Sequence, residues 1–160
     1  MAVELRPMRD DEFAVWLPRV RDGYAQAMVE EGGFPPEGAR EKAAADTDAL
    51  FPGGRPSPDQ LVLVIEADGE PVGELWLAER REMTQPCLFV YDIHLAEEYR
   101  GRGYGKVAMH FAEEEARRRG LDRVALNVFG RNTVARRLYQ SLGYEENAVS
   151  MSKTVSASSS

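Results

Sequence analysis

The run Arg100-Gly101-Arg102-Gly103-Tyr104-Gly105-Lys106 combines three cations with three glycines at alternate positions. Glycines so spaced leave backbone N–H groups uncovered and let the main chain approach a ligand closely. A helical pattern starts directly behind them, adding the unpaired N–H groups and positive dipole end of a helix N-terminus. In a chain of net charge −7 this concentration of positive charge marks an anion site, and a phosphate-bearing ligand is its natural occupant. The alternative is a plain strand-to-helix connection. Just upstream, Asp92 and His94 lie two apart in the apolar run Leu88-Phe89-Val90-Tyr91-Asp92-Ile93-His94-Leu95, so a strand there places both on one face. Either is able to accept a proton, and an unperturbed imidazole titrates nearest to neutral pH. Glu74, in a neighbouring apolar run, is a third candidate.

Two known phosphate loops do not fit. The Walker pattern needs a Ser or Thr after its lysine, but Val107 follows Lys106, which leaves magnesium without its hydroxyl ligand. The dinucleotide fingerprint spaces its glycines as Gly-x-Gly-x-x-Gly, whereas Gly101, Gly103 and Gly105 alternate.

These residues need elements to hold them. Val3 to Pro7 reads as a short strand. Asp10-Asp11-Glu12 puts acids at a helix start, and Phe13, Trp16, Leu17, Val20, Tyr24 and Met28 follow at helical spacing. Pro18 is expected to kink or divide that helix, and Gly32-Gly33 to end it. A second helix, Glu37 to Leu50, is alanine-rich and charged, so its helicity is expected to owe more to propensity than to burial. Gln60–Ala67 and Pro71–Ala78 read as strands joined by Asp68-Gly69, a strong hairpin signal. After Gly105 a helix runs to Gly120, with Glu113, Glu114 and Glu115 each four residues before Arg117, Arg118 and Arg119, a solvated face of i,i+4 pairs. Arg123 to Val128 reads as a strand, Asn132 to Gly143 as a helix, and Tyr144 onward as a final hairpin with Val149 to Val155 as the last strand. The expected fold is an α/β layer with a mixed sheet.

The chain has 160 residues, 43% of them hydrophobic and 29% charged, a size and composition suited to one soluble globular domain. No apolar run approaches membrane-spanning length and no signal-peptide pattern opens the sequence. One cysteine, Cys87, excludes an internal disulfide and fits a reducing cytoplasm; it reads as a small core or strand-edge residue. With only two histidines beside it, a zinc site is not expected. The acidic balance argues against nucleic acid as a partner.

The glycine loop resembles the motif Arg/Gln-x-x-Gly-x-Gly/Ala of the GNAT superfamily of N-acetyltransferases, filled by Arg100, Gly103 and Gly105. The later segment is similar to the same family's Asn-x-x-Ala followed by Leu-Tyr-x-x-x-Gly-Phe/Tyr, at Asn132, Ala135, Leu138, Tyr139, Gly143 and Tyr144. The two motifs stand in the family's order and the resemblance covers nearly the whole chain, closest to small bacterial GNAT proteins. It implies one N-acetyltransferase domain over 1–155; the low-complexity tail 156–160 has nothing to bury and is expected to be disordered. The resemblance further implies a mixed, mostly antiparallel central sheet, flanked by helices and splayed at the cofactor strand.

The implied co-substrate is acetyl-coenzyme A, held by Ile93, His94, Leu95, Arg100, Gly101, Arg102, Gly103, Tyr104, Gly105, Lys106, Asn127, Asn132, Ala135, Arg136 and Tyr139, with no metal. The implied reaction is direct transfer to a primary amine, small molecule or peptide, within a ternary complex. A backbone N–H near Leu95 is implied as the donor to the developing oxyanion, and Tyr139 as the proton donor to the departing thiolate. A packing role behind Ala135 is the alternative for Tyr139. An attacking amine must also lose its proton, for which His94 is the leading candidate beside Asp92 and Glu74. A non-catalytic acyl-CoA sensor is the rival reading. Monomer and homodimer both stay open.

Overall fold

The computed structural model describes residues 2–156, so that of the expected tail only Ser156 is described and 157–160 lie outside; the side chain of Glu31 and the burial of Gly32 are also outside the description. The chain forms two compact units, Met1–Leu126 and Asn127–Ser160.

The first unit contains a five-stranded sheet: β1 (Val3–Pro7), β2 (Gln60–Ala67), β3 (Glu70–Arg80), β4 (Cys87–Leu95) and β5 (Val124–Leu126), in that spatial order. The first three pairings are antiparallel and β4–β5 is parallel, so the sheet is mixed and mostly antiparallel, as expected. Asp68 and Gly69 both take positive φ, 51° and 83°, the geometry a two-residue hairpin requires. The parallel pair needs a crossover, which α3 (Tyr104–Arg118) supplies.

Helices α1 (Asp10–Gly32) and α2 (Pro36–Leu50) precede β2. Pro18 lies inside α1 without ending it; Phe13, Trp16 and Leu17 are all buried, and this packing on the proline's N-terminal side outweighs one lost backbone hydrogen bond. Gly33 closes α1 at φ 69°. Trp16 meets Trp76 edge-on at 5.4 Å and Phe51 packs against both Phe13 and Trp76, which fixes α1 on the Trp76 face of the sheet. Leu63, Ile65, Leu75 and Leu77 alternate with that set, point the other way and are fully buried. In α3, Ala108, Met109, Ala112 and Ala116 are buried. Cys87 is buried at the start of β4, as a core residue, and burial pushes its thiol up.

Three expectations change. Ala39 and Ala43 of α2 are completely buried against Ala25 and Met28 of α1: the alanines let two helices approach closely, so α2 depends on packing as well as propensity. Of the three i,i+4 pairs on α3, only Arg119–Glu115 forms, at 3.0 Å. Arg117 and Arg118 instead reach Glu114 and Glu115 at i,i+3, while Arg119 also bridges to Glu79 of β3. The last hairpin is absent: residues 143–156 form no strand, and Val149, Met151 and Val155 are exposed. A strand cannot satisfy its own backbone groups, and Glu146 is instead held by Arg136 of α4 (Thr133–Ser141) at 2.6 Å.

An ion pair joins the start of α1 to β1. Arg6 of β1 holds both carboxylate oxygens of Glu12 at 2.8 and 2.9 Å and also reaches Glu66. Those hydrogen bonds lower the Glu12 carboxyl to about 2, despite the opposing effect of burial. A carboxyl held below its unfolded value stabilises the fold above that value, and the contribution is lost as pH falls through the folded one. Glu12→Gln should therefore lower stability at pH 7 by about 1–2 kcal/mol, discounted for partial exposure. The gap between variant and parent should close as the pH of thermal melts is lowered from about 5 toward 2. A gap independent of pH would show that the pair is not its source.

Candidate active site

β4 carries the chemistry because two irregularities deform it. Leu77 pairs with Val90 but Trp76 pairs with Asp92, so Tyr91 is an extra residue, a β-bulge of the kind that re-aims side chains. Tyr91 stacks on Trp76 at 4.6 Å. At the same level β5 stops: its pairing covers only Leu88 to Val90. From Tyr91 to Leu95, β4 therefore has β3 on one edge and, among the described residues, no strand on the other.

Beyond the bulge, His94 lies opposite Glu74, and its Nδ1 is 3.1 Å from Glu74 Oε2. The other carboxylate oxygen accepts a hydrogen bond from Arg19 Nη2 of α1 at 2.5 Å. Asp92 stands beside this group. Burial pushes its carboxyl above the usual range, Glu74 adds to the effect, and His94 and Arg19 oppose it. Three of the predicted residues are thus brought together, and Arg19 joins them without having been expected. Arg19 reads in sequence as an ordinary polar position after Pro18. Gly73 also escaped notice: a Cβ there would lie 2.2 Å from the His94 carbonyl oxygen. A glycine inside a strand pattern was the available signal, since it marks close backbone approach.

The group lies at one side of a cleft of about 410 Å³ between α1 and the β2–β4 face. Met8, Val15, Trp16, Val64 and Val72 give it apolar walls, and Asp11, Glu12, Arg19, Glu74 and His94 its polar lining. Such a mixture suits a small molecule or an extended side chain with a polar end.

Immediately after β4, Arg100 Nε donates to the Leu95 carbonyl at 3.0 Å, which fastens the glycine loop to the strand end. Gly101 and Gly103 take φ of 77° and 86°, and Gly103 is the N-cap residue of α3. No atom lies within 4 Å of where a Cβ would stand on either, so their need is conformational and the space beside them is open. Arg100, Arg102 and Lys106 are exposed there, with Arg102 over the Tyr99 ring at 5.7 Å. Positive-φ glycines, a helix N-terminus and three cations together fit a pyrophosphate.

The second unit holds the remaining predicted residues. Asn132 caps α4, its side chain accepting from Ala135 N at 3.2 Å, which explains an Asn-x-x-Ala spacing as a helix start. Arg136 is engaged by Glu146 and by the Gly130 carbonyl at 2.7 Å, so its charge is already compensated. Asn127 is exposed and Ala135 partly so. Tyr139 is buried, with its ring edge-on to Tyr144 at 5.9 Å.

Comparison with known proteins identifies the family and the fold. The acetyltransferase (GNAT) family matches residues 20–144. The chain is 34% identical over 154 residues to the uncharacterized N-acetyltransferase YycN of Bacillus subtilis (strain 168), covering 96% of this chain and 99% of that protein. The crystal structure of YycN superposes with a TM-score of 0.86 at 33% identity, over 98% of this chain and 100% of that one. AAC(6')-Iy, solved with the bisubstrate analogue CoA-S-monomethyl-acetylneamine, shares the fold at a TM-score of 0.63 and 17% identity, over 98% of this chain and 100% of that one.

Proposed function

The chain belongs to the GNAT family of acetyltransferases, and from that premise we propose that it moves an acetyl group from acetyl-CoA to a primary amine by direct attack in a ternary complex. The observation that carries this reading is that one strand holds both requirements. β4 presents His94, paired with Glu74, near its end, and the cationic glycine loop follows at the start of α3.

Acetyl-CoA, when bound, supplies the acetyl group as an activated thioester. Gly101 to Lys106 hold its pyrophosphate through backbone N–H groups and side-chain charge, which makes the attack effectively intramolecular. The amine enters from the α1 side, its carbon framework against the apolar walls of the cleft. His94 takes the ammonium proton at Nε2, because Glu74 already accepts from Nδ1. The amine lone pair then forms the C–N bond as the C–S bond breaks. A backbone N–H near Leu95, on the edge of β4 that lacks a strand partner, faces the developing oxyanion. Tyr139 gives its phenolic proton to the leaving sulfur, and the second proton of the amine nitrogen, lost as the neutral amide forms, returns through solvent to the phenolate. Aminoglycosides and protein amines, named for fold neighbours such as AAC(6')-Iy and a Brucella ribosomal-protein-alanine N-acetyltransferase, are the acceptor types to test first.

A panel of amines assayed for release of free CoA tests the reaction. A signal with at least one primary amine is expected, and silence across aminoglycosides, polyamines, and lysine and N-terminal peptides would sink it. The loop has its own test. Acetyl-CoA should raise the melting temperature by mass action on the folded state. Gly103→Val must hold a β-branched residue at positive φ, which costs about 1–2 kcal/mol and moves the first N–H groups of α3. Calorimetry should then show acetyl-CoA affinity weakened about tenfold or more, with far-UV circular dichroism unchanged. Unaltered affinity would remove the loop from the phosphate site.

A further inference from the structure

Glu74 is held from two sides by residues of different elements. Arg19 of α1 takes Oε1 and His94 of β4 takes Oε2. The carboxylate is largely enclosed, its side chain 19% exposed, while Arg19 is 53% and His94 44% exposed. A carboxylate with one partner is free to turn about its last torsion and present either oxygen. One with both oxygens engaged has a fixed plane. The ring nitrogen that faces that plane becomes the protonated one, and the other keeps its lone pair.

The charges around His94 add a second reason for Arg19. From β3 comes Glu74, from β4 Asp92, and from α1 Asp11 and Glu12 line the same cleft. Arg6 holds Glu12 and Arg9 reaches Asp11. Among the described residues lining the cleft, Arg19 is the only arginine or lysine. Through Glu74 it offsets part of the acidic charge beside the imidazole.

We propose that Arg19 is a positioning residue for acetyl transfer: it locks Glu74 so that Glu74 holds His94 as the Nδ1–H tautomer, with Nε2 open to the amine. The inference rests on the reading of His94 as the residue that takes the amine proton. A partly exposed ion pair of this kind adds little to stability. The role is thus one of orientation, in the way that outer partners of a functional histidine fix its ring.

The test compares the parent with Arg19→Gln and Arg19→Lys. The chain has two histidines, and His110 lies on α3 beside Glu113, so nitrogen-15 spectra of the imidazole rings read His94 against an internal control. In the parent, neutral His94 is expected as the Nδ1–H form. In Arg19→Gln it should become a mixture with the Nε2–H form while His110 is unmoved. Turnover of the best amine should fall about tenfold, the low end for losing an orienting partner, with the KM for acetyl-CoA unchanged. Arg19→Lys restores a charge without the planar fork and should recover part of both effects. An unchanged His94 tautomer in Arg19→Gln overturns the proposal, whatever turnover does. A shifted tautomer with full turnover leaves Arg19 as the orienting group and removes His94 from the chemistry, so the two failures are told apart.

Discussion

His94→Gln should lower turnover at pH 7 by about 10²–10³-fold, the range of a lost general base, with acetyl-CoA affinity close to the parent's. Glutamine keeps an amide N–H that can still donate to Glu74, and the site is partly exposed, so the fold should survive. What disappears is the basic nitrogen. An alkylamine near neutral pH is almost wholly protonated, so without a base the reaction depends on the small neutral fraction in solution. The deficit should therefore shrink as pH is raised toward about 10, where free amine becomes abundant. Asp92→Asn is the necessary companion. The Asp92 carboxyl is raised by burial, which makes it a stronger base than an ordinary aspartate and the rival for the role. If Asp92→Asn shows the large pH-dependent loss and His94→Gln does not, the proton goes to Asp92 and the assignment to His94 is wrong.

Tyr139→Phe should reduce turnover by about 10²-fold while binding of acetyl-CoA is preserved, as expected for removing a general acid. Phenylalanine keeps the ring, and with it the edge-on contact to Tyr144 at 5.9 Å. Only the hydroxyl is lost. A thiol leaves fairly well unassisted, which places the effect at the low end of the general-acid range. Burst and steady-state measurements of CoA release, with calorimetry for binding, read the two quantities separately. A variant that turns over at the parent rate would return Tyr139 to a packing role. Binding of acetyl-CoA by both proteins, with no CoA released to any amine, would instead identify a sensor.

Arg19 and Gly73 separate what was legible in the sequence from what was not. The glycine loop was legible because its ingredients are local: positive φ at Gly101 and Gly103, three cations and a helix start all lie within one short stretch. The Asp68-Gly69 turn, the apolar face of α1 and the cap at Asn132 were legible for the same reason. Each depends on residues within one or two turns of chain, where sterics and periodicity act directly. Asp92, His94 and Glu74 were visible as candidates, since alternation along a strand assigns them a face.

Their partnership was not visible. Arg19 and Glu74 are 55 positions apart, and Glu74 and His94 are 20 apart. Whether an arginine on a helix meets a carboxylate on a strand depends on where the Trp16–Trp76 contact seats that helix. Strand register decided the rest: the extra residue at Tyr91 sets Asp92 opposite Trp76 and His94 opposite Glu74, and only then does Gly73 have to lack a Cβ. The segment from Val149 to Val155 shows the same limit from the other side. It has the alternation of a strand, yet a strand exists only where another edge accepts its hydrogen bonds, and that is a property of the assembled chain. Local rules determined the element types and the anion loop; the pairing of charges across elements waited for packing, because sequence carries the side chains but not the distances between them.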